Sequence, residues 1–446
     1  MRRQFAAVTL LTAVAQGAGL IKLWLTARLF GVGAELDGYF LALLAPTFLS
    51  GALSGMLQTA LFPVRARLAA EEAKDVLLRF ERTVLAGLLV LGAALGLILW
   101  LAGPWILAWS GTDLAPAVRE SARFVFPFAA LLIPLNTVGD GLGYLLAMRN
   151  RYPVAAAAPI ANALLGAGLL YAWPEGGLLN LALGTVAGLA LQVCICLLAL
   201  QRQEPRLLAA WPAFAGLQGP WRKMSHLSVW ILPGVIFSNL LATLPTVMIA
   251  PYGEGAVSAF GYAWRLHTYA IQLLVMATSP VLLARFSDLI AVGDEKTLRR
   301  LLRQAVAISS AIGLGSVVLV AWAGVPLLEL LFGGRFDSQA AEAVAGHWLW
   351  LCVALGPALL GNVYVKVWQA RRLAQAISLL AALGLVSFWV LHAGLSGWLG
   401  SQAVAAAVGL ASFVVPLAGW RLAWRGPSAV SVGNIAWPVR RRQTRP

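Results

Sequence analysis

Long apolar segments recur along the whole chain and are separated by short polar stretches. Crossing the roughly 30 Å hydrocarbon core of a bilayer takes about 20 apolar residues in a helix. A helix pairs its own backbone groups in lipid, and the alternating pattern of barrel strands is absent, so the sequence predicts an all-α polytopic membrane protein. We place about twelve transmembrane spans near residues 4–28, 38–63, 83–109, 122–147, 153–173, 177–200, 226–250, 257–284, 304–331, 343–368, 374–395 and 400–424.

Composition and charge support this class. Of the 446 residues, 60% are hydrophobic and 11% are charged, which is more apolar surface than a soluble protein can bury. The net charge is +15, and 26 of the 33 Lys and Arg residues fall on one side of the predicted spans. This positive-inside bias predicts an even number of spans with both termini cytoplasmic. The basic surplus therefore serves topology and contact with anionic membrane lipid, and no pattern indicates nucleic acid binding.

The two halves of the chain resemble each other. Phe30–Ala34 recurs as Tyr252–Ala256, and Arg149 after span 4 recurs as Arg371 after span 10, each 222 residues later. Both copies start on the same side of the membrane, so we predict two parallel six-helix lobes. The predicted divisions are an N-terminal lobe 1–200, an interfacial linker 201–225, a C-terminal lobe 226–425 and a basic cytoplasmic tail 426–446.

Four spans carry charged residues, which are costly in lipid and usually face a bundle interior or a water-filled cavity. In each of these spans, polar and small side chains recur at helical spacing and form one stripe. The stripes predict a polar cavity between the lobes, lined by spans 1, 4, 8 and 10. The candidate residues are Gln16, Lys22, Thr26, Asn136, Asp140, Arg265, Thr268, Gln272, Asn362 and Lys366.

The charges in this cavity favour an anion. Lys22, Arg265 and Lys366 outnumber Asp140, and Lys and Arg are natural partners of a diphosphate. Two simpler interpretations stay open. Lys366 could extend to the cytoplasmic headgroups instead of facing the cavity. Asp140 could form a structural ion pair instead of taking part in gating or coupling.

No pattern of reactive side chains indicates enzyme chemistry. The sequence shows no nucleophile–base pair, no phosphate-binding P-loop and no spacing of metal ligands. Cys194, Cys196 and Cys352 fall in predicted spans, where small apolar packing is their ordinary role. The sequence therefore predicts no catalytic residue, no metal site and no cofactor. It leaves open whether a Na⁺ or H⁺ gradient drives activity.

Three blocks of sequence resemble a known family. Spans 1 and 2 contain Ala27-Arg-Leu-Phe-Gly-Val-Gly-Ala-Glu-Leu-Asp-Gly-Tyr-Phe40, followed by Pro46 and Phe62-Pro63. Span 8 contains Tyr262-Ala-Trp-Arg-Leu266, and Leu330-Leu-Phe-Gly333 follows span 9. The first two blocks resemble the MviN/MurJ family of lipid II flippases, and the third resembles a motif of the wider MOP superfamily of exporters. The resemblance implies a MATE-like fold.

The resemblance also implies roles for individual residues. Arg265 matches the family's span 8 arginine in the central cavity, and Asp37 matches its acidic residue at the outer mouth. Lys22 stands in place of a span 1 arginine and keeps the charge without the bidentate fork. Gln16 and Ser50 stand where the family has two further arginines. The basic cavity is therefore thinner here, and about two of the family's fourteen spans have no counterpart.

The leading hypothesis is a flippase in the bacterial inner membrane. It would move a polyprenyl-diphosphate-linked glycan, either lipid II or an exopolysaccharide or O-antigen unit, by alternating access. Glycan-synthesis enzymes are candidate partners. Two other classes stay open. One is a MATE-type multidrug or cation antiporter, against which the basic stripes argue. The other is a non-transporting scaffold of a glycan-synthesis complex.

Overall fold

The computed structural model describes residues 2–109, 114–207, 209–214, 216–276, 279–371 and 373–424, so the predicted tail 426–446 lies outside the described residues. Every regular element in these ranges is a helix. Three short 3-10 helices span Pro174–Gly176, Pro205–Leu207 and Ala250–Tyr252. The fourteen α-helices are α1 (Arg2–Phe30), α2 (Ala34–Glu71), α3 (Lys74–Trp109), α4 (Pro116–Met148), α5 (Tyr152–Ala172), α6 (Gly177–Gln203), α7 (Gln218–Ile249), α8 (Ala256–Met276), α9 (Ser279–Val292), α10 (Glu295–Leu331), α11 (Ser338–Ala370), α12 (Ala374–Leu399), α13 (Gln402–Ala411) and α14 (Val414–Trp424).

Within the described ranges, 11 helical segments are long and apolar enough to cross a membrane. The prediction of an all-α multi-pass membrane protein is thus confirmed. The predicted eighth span corresponds to α8 and the start of α9. α8 is not among the 11 segments, because Arg265, His267 and Gln272 lower its hydropathy. The predicted twelfth span is α13 followed by α14, and the break falls where Pro416 cannot donate to the carbonyl one turn earlier.

Three helices are much longer than a bilayer core is thick. α2, α3 and α10 have 38, 36 and 37 residues, or about 55 Å each at 1.5 Å per residue. Their extra turns are joined by ion pairs. Buried Glu81 of α3 pairs with Arg65 of α2 at 2.8 Å and with Arg149 after α4. In the second half, Arg371 after α11 pairs with Glu295 of α10 at 3.1 Å. The two repeat-related arginines therefore anchor equivalent helix ends.

Helix packing is most extensive within each half of the chain. In the first half, α2 and α3 pack along α4, α5 along α6, and α1 along α5. In the second half, α10 and α8 pack along α11, and α13 packs on α11 and α12. The broadest contact between the halves is α2 against α7, with smaller contacts of α1 and α2 on α8. The exact lobe boundaries stay a prediction.

Two glycines allow the close approach of α2 to α7. A Cβ atom at Gly51 would collide with Oδ1 of Asn239, and one at Gly55 would lie 2.9 Å from Cγ1 of Val235. The segment between α6 and α7 is held against α3. There the Arg82 guanidinium donates to the carbonyl oxygens at 207, 206 and 211, at 2.6, 2.8 and 3.4 Å. The α2–α7 contact is the main packing surface between the halves.

Candidate anion-binding site and outer junction

One end of the bundle is closed by contacts between the α1–α2 turn and the start of α8. We call this end outer, following the charge distribution, and we call these contacts, made by residues 31–37 and 254–262, the outer junction. Asp37 is buried and accepts from the backbone N–H groups of Gly255 at 2.7 Å and Ser258 at 2.6 Å. The first N–H groups of a helix have no partner within the helix. Asp37 of the first half therefore caps a helix of the second half.

Residues of the second half in turn accept hydrogen bonds from backbone N–H groups at the start of α2. Glu254 accepts from the backbone N–H of Ala34 at 3.3 Å, and the Ser258 hydroxyl accepts from the N–H of Gly33 at 3.2 Å. The Tyr262 hydroxyl donates to the carbonyl oxygen of Gly31 at 3.1 Å. The positive N-terminal ends of α2 and α8 therefore face each other, and the two carboxylates offset their repulsion.

Aromatic rings surround the outer junction. The Tyr262 ring lies 5.9 Å from the Phe332 ring, 5.8 Å from the Phe336 ring and 6.2 Å from the Phe40 ring, between centroids. Gly333 has φ 57°, which lets the chain turn between the two phenylalanines. Phe332 of the Leu-Phe-Gly motif is thus part of an apolar layer around the junction.

Arg265 and Lys22 lie beneath this layer and belong to one polar network. The Arg265 guanidinium carbon is 4.6 Å from the Phe40 ring centroid, a cation–π contact. The guanidinium also interacts with the Tyr39 hydroxyl. That hydroxyl lies 2.7 Å from the Thr185 hydroxyl, which accepts from the Lys22 ammonium at 3.0 Å. The network therefore joins α1, α2, α6 and α8.

Both charged side chains of the network are cations. The charges of Lys22 and Arg265 interact with each other, and none of the ion pairs in the described residues includes either side chain. Two nearby cations repel each other, and this repulsion is strong where water is partly excluded. Phosphate oxygens placed between them would offset it through charge-assisted hydrogen bonds. We call Lys22, Tyr39, Thr185 and Arg265 the candidate anion site.

Asp140 and Lys366 are not part of this site. Ser54, which lies near Asp140, is fourteen residues beyond Phe40 on α2, or about 20 Å farther inward at 1.5 Å per residue. Phe260 of α8 contacts His347 of α11, with ring centroids 5.9 Å apart. From that contact, Lys366 lies nineteen residues inward along α11 and Arg265 lies five residues inward along α8. Lys366 is therefore also about 20 Å farther inward than Arg265 at 1.5 Å per residue. The two residues therefore share a second, inner level.

Side chains at the inner level have local partners. The Ser54 hydroxyl lies near Asp140 and 2.8 Å from the Tyr144 hydroxyl, and the Lys366 ammonium donates to Gln369 at 3.3 Å. The remaining candidates lie on α1, α4, α8 and α11. Gln16 donates to Gln272 across α1 and α8, Thr26 donates to the carbonyl of Lys22 at 2.8 Å, Asn362 donates to the carbonyl of Ala358 at 3.1 Å, and Asn136 and Thr268 are half-buried.

Comparison with known proteins identifies the family. A family model described as "Lipid II flippase MurJ" matches residues 26–432. The chain belongs to the MurJ lipid II flippase family. The probable lipid II flippase MurJ of Rhizobium meliloti (strain 1021) is 26% identical over 361 residues, which cover 77% of this chain and 66% of that protein. The lipid II flippase MurJ of Burkholderia cenocepacia is 24% identical over 382 residues, with coverages of 82% and 72%. The chain thus spans about two thirds of the length of the first relative.

Solved structures show how the MurJ-family fold extends to other exporters. A lipid II flippase MurJ in an inward closed conformation superposes with a TM-score of 0.79 at 18% identity, covering 92% of this chain and 86% of that chain. An inward-facing multidrug resistance MATE family transporter of the MOP superfamily superposes with a TM-score of 0.71 at 14% identity, covering 93% of both chains. At such identities the likeness concerns the fold, which is therefore MurJ- and MATE-like as predicted.

Several residues of the candidate anion site and the outer junction were not predicted from the sequence. Tyr39 and Thr185 connect the two cations, and Ser258 and Glu254 complete the outer junction. A signal existed for Tyr39, because the pair Gly38-Tyr39 recurs as Gly261-Tyr262 in the second half. Thr185 lies on a span without charges, and its role follows only from the packing of α6 against α1 and α2.

Proposed function

We propose that this protein flips a polyprenyl-diphosphate-linked glycan across the bacterial inner membrane by alternating access, with lipid II as the first candidate cargo. The diphosphate would bind between Arg265 and Lys22, while the lipid chain stays in the bilayer. The outer junction, with Asp37 as its central cap, would open to release the glycan on the other side. Membrane potential would add about 2.3 kcal/mol per 100 mV for each charge moved.

One observation carries the proposal. Two cations from different halves of the chain share a network that contains no carboxylate, directly beneath a closed junction. Binding of a diphosphate there would draw α1 and α8 together, and opening of the junction would separate them. A site that binds across two lobes is what alternating access requires. Membership of the MurJ family supports a polyprenyl-diphosphate-linked glycan as the class of cargo.

Complementation tests the proposal directly. The full chain would be expressed in a bacterium depleted of its own lipid II flippase, beside Arg265→Ala, Arg265→Lys and the exposed-arginine control Arg421→Ala. We expect growth with the wild type and the control, none with Arg265→Ala, and weak growth with Arg265→Lys, since lysine keeps the charge but not the planar fork. Growth with Arg265→Ala at equal expression would remove the residue from the site.

A second cargo class has an observation of its own. Ser50, where the family has an arginine, is buried, and its hydroxyl has no partner among the described residues. Gln16, at another family arginine position, is bonded to Gln272. The cation set is therefore smaller than the family pattern, which favours an exopolysaccharide or O-antigen lipid carrier over lipid II. Failed complementation together with loss of surface polysaccharide on deletion would select this cargo.

A cation or drug antiporter is the remaining alternative, because MATE transporters share the fold. The two cations of the candidate anion site would repel a cationic drug, so this function has less support. Raised drug resistance on overexpression, unchanged by Arg265→Ala, would favour it. A scaffold role would instead predict that glycan synthesis survives removal of both cations.

A further inference from the structure

A cavity of about 370 Å³ opens at the inner end of the second half, far from the candidate anion site. It is lined by Arg299 and Arg303 of α10 and by Trp420 and Trp424 of α14. α10 and α14 both pack on α11 but do not pack extensively on each other, so the cavity lies in a cleft between them. We call it the inner cleft. Its volume falls within the roughly 300–1,000 Å³ that is usual for small-molecule sites.

Each side of the inner cleft presents one kind of side chain. The two arginines are four residues apart on α10, and the two tryptophans are four residues apart on α14. Residues at this spacing lie on the same face of a helix, with Cβ atoms about 5–6 Å apart. The inner cleft therefore has a basic side from α10 and an aromatic side from α14.

The two arginines have no acidic partner in the protein. None of the ion pairs in the part of the chain that the structure describes includes Arg299 or Arg303. The acidic residues just before them on α10 are engaged elsewhere. Glu295 pairs with Arg371 at 3.1 Å, and Asp294 accepts from the backbone N–H of Thr297 at 3.0 Å. An anion that enters the inner cleft would therefore meet two guanidinium groups that are free to bind it.

The internal repeat shows that packing of the helix ends does not account for Arg303. The residue 222 positions before it is Glu81, which pairs with Arg149. In the second half the equivalent arginine, Arg371, is paired by Glu295 instead. The same position thus has opposite charges in the two halves. Arg303 is not needed to hold this helix end, so its charge is available for another use.

The chain itself fills the equivalent cleft of the first half. α3 and α6 correspond to α10 and α14, and the short helix Pro205–Leu207 packs on both, with Leu207 fully buried. The equivalent segment in the second half of the sequence is the tail 426–446, which has four arginines and no Asp or Glu. A basic segment is a poor occupant for a cleft whose charged residues are arginines. Charge complementarity therefore favours an external anion.

The surroundings of the inner cleft fit a lipid. Leu417 lies three residues before Trp420 on the same face of α14 and is 67% exposed. Ala307 and Leu314 continue the face of Arg303 along α10 and are also exposed. Exposed apolar side chains of a spanning helix contact acyl chains, and tryptophan is typical of the headgroup level. A polar head in the inner cleft would thus have apolar surface beside it for its chains.

We propose that the inner cleft binds the headgroup of an anionic phospholipid and that this lipid holds α10 and α14 together. The phosphate oxygens accept hydrogen bonds from Arg299 and Arg303. The indole rings of Trp420 and Trp424 pack against the glycerol region, and the acyl chains follow the exposed apolar faces. Basic pockets between helices on the cytoplasmic side of a membrane are typical sites for anionic headgroups. The site does not depend on the proposed flippase function.

Native mass spectrometry of the full chain in detergent tests binding without any transport. A cleft variant combines Arg299→Gln with Arg303→Gln. The control variant combines Lys296→Gln with Arg300→Gln, which removes the same charge at the same spacing from exposed positions of α10 outside the cleft. We expect wild type and control to retain phosphatidylglycerol in preference to phosphatidylcholine. The cleft variant should bind phosphatidylglycerol about tenfold more weakly than the control. Equal weakening in both variants, or equal retention of both lipids by wild type, would overturn the proposal.

Tryptophan fluorescence in liposomes tests where the lipid binds. The difference in emission between wild type and Trp420→Phe isolates Trp420, and bromine atoms on an acyl chain quench an indole that they contact. We expect brominated phosphatidylglycerol to quench this emission about twofold more than brominated phosphatidylcholine. The excess should vanish when Arg299→Gln and Arg303→Gln are present. An excess that survives in the cleft variant would mean that the arginines do not hold the lipid.

Two other occupants of the inner cleft would give different results. We expect millimolar inorganic phosphate not to displace phosphatidylglycerol, and a chain that ends at residue 425 to bind it as the full chain does. Displacement by phosphate would identify a site for soluble anions. Binding by the shortened chain but not by the full chain would identify the tail as the occupant. Either result would overturn the assignment to a lipid.

Discussion

Replacing Asp37 with Asn should weaken the closed state of the outer junction. The Asp37 carboxylate accepts from two backbone N–H groups at the start of α8, at 2.7 and 2.6 Å, and it is buried. An asparagine of the same shape keeps one good acceptor oxygen and loses both the second acceptor and the charge. The substitution therefore changes the hydrogen bonds and the charge of the cap while it leaves the side-chain packing in place.

The magnitude follows from these contacts. A hydrogen bond to a charged group contributes about 1.5–3 kcal/mol, and Asp37→Asn removes roughly one such bond. Every 1.4 kcal/mol changes an equilibrium about tenfold, so the fraction of molecules with an open junction should rise roughly 10- to 100-fold. Asp37→Ala would leave two buried N–H groups without acceptors and should have a larger effect.

Labelling of a buried cysteine measures this shift. Val257 is 1% exposed and lies in the first turn of α8. In a variant without native cysteines, Val257→Cys should react with a membrane-impermeant maleimide only while the junction is open. Glu254→Gln is the matched control, because Glu254 is exposed and its bond to Ala34 is longer, at 3.3 Å. Exposed substitutions of this kind usually change stability by less than about 0.5 kcal/mol.

The labelling rates of the two variants decide whether the cap holds the junction closed. Labelling in Asp37→Asn should be at least tenfold faster than in Glu254→Gln at equal expression and equal thermal stability. Equal rates in the two variants would mean that the aromatic layer alone holds the junction closed. The cap would then have no part in gating.

Three further predictions concern Glu81, Gly31 and Tyr39, and those for Glu81 and Tyr39 each have a control substitution. Glu81→Gln should lower thermal stability by about 3–5 kcal/mol, because it leaves two arginines without their buried partner. Glu71→Gln, in an exposed pair, should cost less than about 1 kcal/mol in the same assay. Gly31→Ala should reduce folded protein on detergent extraction, since φ is 61° and its Cβ would lie 2.5 Å from a backbone oxygen of the α10–α11 turn. Tyr39→Phe should weaken binding of a short-chain polyprenyl diphosphate by roughly two- to tenfold, the worth of one hydrogen bond. Tyr262→Phe should leave that affinity unchanged and raise labelling at the outer junction.

Much of the fold could be predicted because lipid imposes a simple rule on sequence. Apolar length alone marks a spanning helix, whatever it packs against. The prediction lost detail where polar function enters a span. α8 carries Arg265 and Gln272 and falls short in hydropathy, and Pro416 divides the last span into α13 and α14. In both segments, one or two residues change the hydropathy or the helix continuity that the rest of the segment predicts.

The candidate site could be predicted only in part. Lys22 and Arg265 stood out because charges are rare in spans, and the structure brings them into one network. Tyr39 and Thr185 did not stand out, because neutral polar residues are common in such helices. Helical periodicity predicted which face of its helix Asp140 or Lys366 occupies, but it says nothing about depth. Relative depth depends on the register between helices, which contacts far apart in sequence decide.

The outer junction and the candidate anion site are mechanically one unit, because α8 carries half of each. Ser258 in the junction and Arg265 in the site are seven residues apart, or about 10 Å along a single helix. Motion of the start of α8 must therefore carry Arg265 away from Lys22 on α1. By linkage, an anion that bridges the two cations stabilises the closed junction as much as the closed junction favours the anion. In the proposed cycle, cargo binding alone would then hold the protein closed, and opening needs a separate source of free energy. Membrane potential, which acts on every charge that moves across the membrane, is one such source.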